Sequence, residues 1–179
     1  MSTLSVDTIQ GQTTAANVKL PAGCILQTVS TTKTDAFSNA SSSLVDITGM
    51  TVTITPKYST SKILIRANLN WGGVNNIYSG IRLLRGSTAI SLNTSASGNQ
   101  IAASIGCGGD NNNFEYKQEH TGLEFLDSPA TTSATTYNVK VSHNSGGTQT
   151  FLLNRTKNDG NASSAARVSS TLTLMEIAQ

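Results

Sequence analysis

Residues 62–71 read KILIRANLNW. Ile63, Ile65, Ala67, Leu69 and Trp71 share one parity, and Leu64, Arg66, Asn68 and Asn70 share the other. Side chains of an extended chain alternate between two faces with a period of two, whereas a helix would scatter the same residues around its circumference. The segment therefore predicts a half-buried β-strand. Upstream, Met50, Val52 and Ile54 alternate with Thr51, Thr53 and Thr55 until Pro56 ends the run. Downstream, Tyr137, Val139, Val141 and His143 alternate with Asn138, Lys140 and Ser142.

The rest of the chain reads the same way, as short strands broken by polar turns. Ile25 to Thr32 predicts a strand, followed by a Ser-rich connector, TKTDAFSNASSS. SGIRLLRGSTAISL predicts a hairpin turning at Arg85-Gly86-Ser87. The stretch NTSASGNQIAASIGCGGDNNN reads as a loop holding one short strand near Ile101 to Ile105. Phe114, Tyr116, Gln118 and His120 share one face of a strand that Leu123 to Leu126 continue, and Thr150 to Asn154 and RVSSTLTLMEI supply the last two. Eight to ten strands at intervals of about 8–15 residues, with no helical period, predict an all-β fold, a jelly-roll β-sandwich.

Composition supports that class. Ser, Thr, Asn and Gly supply 79 of the 179 residues, which are turn formers and strand-compatible polar residues, so a helical bundle is excluded. Charged residues are only 12%, which excludes disorder driven by charge. The formal charge of +2 is spread without runs and carries no electrostatic signature of nucleic-acid or membrane-surface binding. No apolar stretch approaches the roughly 20 residues of a membrane span, and MSTLSVDTIQ lacks the basic start and apolar core of a signal peptide. The expectation is a soluble chain without membrane insertion or conventional secretion. Cys24 and Cys107 are expected as reduced thiols, and no Cys/His cluster has zinc spacing.

Residues 1–22, MSTLSVDTIQGQTTAANVKLPA, hold only Leu4, Val6, Ile9, Val18 and Leu20 as large apolar side chains, too few for a core. Two placements are open, against the chain's own domain or along a partner, and the second is the expectation. The division is a docking arm at 1–22 and a sandwich at 23–179.

Catalytic patterns are weak. His120 and His143 sit at alternating strand positions and read as packed or hydrogen-bonded histidines. Glu115, Glu119, Glu124 and Asp127 read as solvated strand charges. GCGGDNNN at 106–113 lacks both the Lys-Ser/Thr of a phosphate loop and the several carboxylates of a calcium loop, so it reads as a surface turn. Four Asn-x-Ser/Thr triplets, at Asn39, Asn93, Asn154 and Asn161, are no more than this composition produces by chance. Trp71 lies on the apolar face of its strand and is expected in the core or at a subunit interface. The expectation is a non-enzyme with no cofactor and no metal.

The opening STLSVDTIQGQTTAANVKLPAG and the closing SSTLTLMEI resemble virion appendage proteins of tailed bacteriophages, short marine phage fibres in particular. The resemblance implies an N-terminal arm that docks to the particle and a C-terminal jelly roll that trimerises, similar to the tumour-necrosis-factor and complement globular-head family. It makes Leu4, Val6, Asp7 and Ile9 the particle-docking strand. The last strand adds an argument of its own: Leu172 and Leu174 fall on one face and Met175 and Ile177 on the other, so all four are expected at the trimer interface. The implied partners are further copies of this chain, other virion structural proteins and a host surface glycan or protein. Asn93, Asn99, Asp110, Asn111 and Asn112 are the candidate receptor-loop residues. No heptad or repeat builds a shaft, which keeps a capsid-decorating protein or head fibre open beside a tail fibre. Polysaccharide hydrolase and lectin are the readings from other classes.

Overall fold

The computed structural model describes residues 20–72, 78–108, 115–144 and 150–179. Among them are eleven strands: β1 (Ile25–Lys33), β2 (Phe37–Asn39), β3 (Val45–Ile54), β4 (Lys62–Gly72), β5 (Tyr78–Arg85), β6 (Thr88–Ile90), β7 (Ile105–Gly108), β8 (Gln118–Asp127), β9 (Thr135–His143), β10 (Phe151–Leu153) and β11 (Ser170–Ile177). They form two antiparallel sheets. The first runs β1-β11-β4-β8, with β10 and β2 continuing β11's side at the far end of β4; the second runs β3-β9-β5, with β6 and β7 sharing the outer edge of β5. Without the short β2, β6 and β10, this is the eight-stranded double Greek key of a jelly roll.

β4 shows why the alternation works. Ile63, Ile65, Ala67, Leu69 and Trp71 are all buried, with Ala67 and Ile65 opposite Leu172 and Leu174 of β11 on their own sheet. From the opposing sheet Met50, Ile54, Ile81, Leu83, Tyr137, Val139 and Val141 complete one contiguous core. Each such large side chain contributes about 1.5–3 kcal/mol on leaving water. Trp71 is 6% exposed and its Nε1 donates to Thr121 Oγ1 at 3.1 Å, which places it in the core.

Three expectations need correction. Strands exceed the expected eight to ten because the Ser-rich connector contains β2, which pairs with β10. The strand expected near Ile101 to Ile105 starts at Ile105: Ile101 and Ala103 instead lie over Gly80, where a Cβ would collide with Ile101 Cγ2. Leu172 and Leu174, expected at a trimer interface, are fully buried in the chain's own core, because β11 is an inner strand between β1 and β4. Only Met175 and Ile177 of that set lie on the outer face.

The sandwich has two distinct ends. One carries Ile25, Lys62, Asp127 and Ile177, and there the Gly23 amide donates to Ala178 O at 2.9 Å, so the chain entering from residue 20 lies beside the C-terminus. The other carries Gly72, Tyr78, Gly108 and His143. By the rise of an 11-residue strand such as β4, the two ends lie about 33 Å apart.

Candidate functional site

At the end remote from Ala178, two adjoining grooves of about 440 and 460 Å³ open on the outside of the second sheet. Their floor is the β5–β7 pair, where Gly80 faces Gly106 and Tyr78 faces Gly108. Residues 91–104 wrap over that floor, held by hydrogen bonds. Ser104 closes the gap between β6 and β7: its amide donates to Ile81 O at 2.8 Å, its hydroxyl donates to Ile90 O at 3.2 Å, and the Leu83 amide donates to its Oγ at 3.1 Å. Arg82 Nε donates to Ala102 O at 2.7 Å and so helps to hold the loop.

Three amide side chains around the grooves are used alike. Asn144 Oδ1 accepts from the Tyr78 amide at 3.1 Å, Gln100 Oε1 from the Ser97 amide at 2.9 Å, and Asn93 Oδ1 from the Ser95 amide at 2.7 Å. Each carbonyl oxygen is tied to the backbone, which fixes the orientation of the amide and so of its NH₂ group. Tyr78 is 52% exposed beside them, against Gly108. Among the described residues, none that lines either groove is charged.

Beneath the groove, on the inner side of the sheet, Ser79 faces Cys107 on one side and His143 on the other. Burial pushes the Cys107 thiol up to about 12, so it stays protonated and is no nucleophile. His143 is a packed core residue, 2% exposed, and neither ring nitrogen has a hydrogen-bond partner among the described residues. His120 faces outward with Nδ1 3.0 Å from Asn70 Oδ1. Cys24 and Cys107 are free and lie toward opposite ends of the sandwich.

The acidic residues fall differently from their sequence reading. Asp127 is buried rather than solvated: Tyr137 Oη donates to its Oδ2 at 2.7 Å, and Arg85 Nη1 donates to both carboxylate oxygens at 2.9 Å. Glu124 lies on the outer face beside Arg66, while Glu119 and Asp127 sit on the inner side at the two ends of β8. Glu115 pairs with Lys157 at 3.9 Å. Sequence reasoning passed over Glu176, which is fully buried and accepts from Gln27 Nε2 at 2.6 Å and from the Lys57 amide at 2.7 Å. Among the described residues no group of three His, Cys, Asp or Glu is placed to hold a metal ion, and no helix is long and apolar enough to cross a membrane.

Of the candidate receptor-loop residues, Asn93 and Asn99 line the two grooves, one each. Asp110, Asn111 and Asn112 lie outside the described residues, as do the docking residues Leu4, Val6, Asp7 and Ile9. Tyr78, Gln100 and Asn144 were not legible as one site, because three separate stretches of chain bring them together; the exposed tyrosine next to Gly80 is the one local signal.

No protein-family model matches the chain, and no curated protein matches it. Among solved structures, that of the infectious bursal disease virus Gt strain aligns with a TM-score of 0.45 at 12% identity, over 98% of this chain and 43% of the other. The infectious bursal disease virus Gx strain aligns with a TM-score of 0.42 at 15% identity, over 97% and 42%. T=1 particles derived from infectious bursal virus align with a TM-score of 0.40 at 12% identity, over 86% and 36%. The chain spans less than half the length of these structures.

Proposed function

We propose that the chain is a structural subunit of a virus particle, a homotrimeric tail-fibre-like appendage held by residues 1–22 that presents the far end of its jelly roll to a host surface glycan or protein. The observation that carries this reading is the polarity of the sandwich. The chain enters beside the C-terminus at one end, and the grooves open at the other. An anchor and a recognition surface on opposite ends is the arrangement an appendage needs. The resemblance of the chain's opening and closing segments to phage appendage proteins supports the virion setting and the count of three.

The outer face of the first sheet supports association of copies. Met175 faces Leu64, which faces Leu126, forming an apolar row across β11, β4 and β8, with Ile177 and Ile25 paired beside it. Leu126 is 47% exposed and Ile25 53%. A second copy is the occupant that explains such a row, since the neighbouring Arg66 and Glu124 also give the face both signs of charge. A capsid-decorating protein or head fibre would use the same polarity and differs only in where the arm docks.

The test is a chain that begins at Gly23, which retains the hydrogen bond from the Gly23 amide to Ala178 O. It should sediment as the same oligomer as the full chain and be missing from purified particles. Normal incorporation would mean that residues 1–22 do not anchor it, and a monomeric full chain would remove the assembly.

A further inference from the structure

We propose that the groove beside Tyr78 binds a neutral saccharide, with the tyrosine ring as its stacking platform and the side-chain amides of Asn99, Gln100 and Asn144 as its hydrogen-bond donors. This rests on the reading that the groove end faces a host surface, and it commits that reading to a carbohydrate and to named residues.

The chemistry follows from what lines the groove. A pyranose presents an apolar face of C–H groups and an equatorial rim of hydroxyls, so a site for it needs an exposed aromatic ring beside fixed polar groups. Tyr78 supplies the ring, 52% exposed on the outside of β5. The open part of the floor is Gly106, where a Cβ would meet nothing within 4 Å, while Gly80 lies under Ile101 and Gly108 under the edge of the Tyr78 ring. Gly80 is required: a Cβ there would collide with Ile101 Cγ2 and lift the segment that carries Asn99 and Gln100.

Two of the three donors are set before any ligand arrives. Asn144 and Gln100 each commit their carbonyl oxygen to a backbone amide, of Tyr78 and Ser97 respectively, so each NH₂ is held rather than free to rotate. Asn99 stands exposed on the same rim. Amide NH₂ groups in fixed positions match sugar hydroxyl oxygens, and their preorganisation lowers the ordering cost of binding. The charge balance selects among sugars. The described lining residues include no cation, and Arg82 on β5, whose Nε donates to Ala102 O, is not among them. Among the described lining residues a sialylated or sulfated glycan would meet no cation, which favours a neutral one. A protein partner would be expected to use a larger continuous apolar area than one exposed tyrosine beside Gly106 and Gly108.

The experiment uses the full chain against immobilised neutral oligosaccharides (glucan, mannan and galactan fragments), with sialylated and sulfated oligosaccharides alongside, and follows thermal unfolding of every variant. The wild-type chain should bind within the neutral set. Tyr78→Ala should weaken that binding at least tenfold, Gln100→Ala severalfold, and Tyr78→Phe much less than Tyr78→Ala, since it keeps the ring. All three should unfold at the wild-type temperature. No binding to any neutral saccharide, stronger binding to acidic ones, or Tyr78→Ala binding as wild type does would each overturn the site. The particle reading fails separately, through incorporation of the chain that begins at Gly23.

Discussion

Tyr137 of β9 and Asp127 of β8 join the two sheets, with the phenol donating to Asp127 Oδ2 at 2.7 Å and the tyrosine fully buried. Arg85, at the end of β5, donates to the same carboxylate from the second sheet. Burial, reinforced by the hydrogen bond to Asp127, raises the Tyr137 pKa, so the phenol stays a neutral donor across the working pH range. Tyr137→Phe should therefore keep the ring in the core and remove one donor from a buried carboxylate, destabilising the fold by about 1–2 kcal/mol. Urea denaturation checks this. A cost below about 0.5 kcal/mol would mean that Arg85 alone satisfies Asp127.

Glu176 makes stability depend on pH. Burial disfavours its charged form, yet hydrogen bonds from Gln27 and from the Lys57 and Tyr58 amides outweigh that, holding the carboxyl below its ordinary value of 4.5. A group with a depressed folded pKa contributes stability that is present above the unfolded pKa and is lost as pH falls through the folded one. Glu176→Gln should thus cost most at neutral pH, and the gap from wild type should narrow as pH drops below about 4.5. Unfolding midpoints taken from pH 7 down to pH 3 would show the convergence; a constant gap would mean the charge contributes nothing.

Asn154 occupies a left-handed backbone position, φ 62°, at full burial. Its Nδ2 donates to Lys33 O at 2.8 Å and to Asp35 O at 3.1 Å, and its Oδ1 accepts from Ser170 Oγ at 2.6 Å. The side chain thus ties the end of β10 to β1 and β11, and it is inaccessible as a glycan acceptor despite its Asn-Arg-Thr triplet. Asn154→Ala leaves buried polar groups unpaired and strains a conformation that asparagine tolerates best, so it should cost about 2–4 kcal/mol. Asn154→Asp, which sets a buried carboxylate oxygen against the Lys33 and Asp35 carbonyls, should cost at least as much as alanine in thermal unfolding at neutral pH.

The alternation in β4, β9 and β11 was legible because a half-buried strand writes its burial directly into residue parity, and the Arg85-Gly86-Ser87 turn because Gly86 supplies a positive φ of 59°. Parity shows two faces but not what covers them. Leu174 and Met175 look equally apolar in sequence, yet one enters the core and the other faces outward, and the difference depends on which strands flank β11. Buried polar groups were illegible for a related reason. Glu176, Asn154 and Asp127 are buried because distant partners satisfy them, and those partners become neighbours only in the fold. The groove has the same character, since Tyr78 and Asn144 are brought together by the β5–β9 ladder and Gln100 by a loop laid over Gly80.

The correction at β11 gives the assembly a discriminating test. Leu64 points outward in the row with Met175 and Leu126, whereas Leu174 is fully buried within the chain. If copies associate through this outer face, Leu64→Asp places an unpaired charge at the contact and leaves the monomer intact, because in the isolated chain the charge would remain in water. Leu174→Asp places it in the core, where desolvating an unpaired carboxylate exceeds what a domain of this size can absorb. Leu64→Asp and Met175→Asp should each shift sedimentation from oligomer to monomer with an unchanged β-sheet circular dichroism spectrum. Leu174→Asp should lose that spectrum or fail to accumulate as soluble protein. An oligomer that survives both outer-face substitutions would exclude this face as the contact and leave the edge of β8 away from β4 as the next surface to substitute.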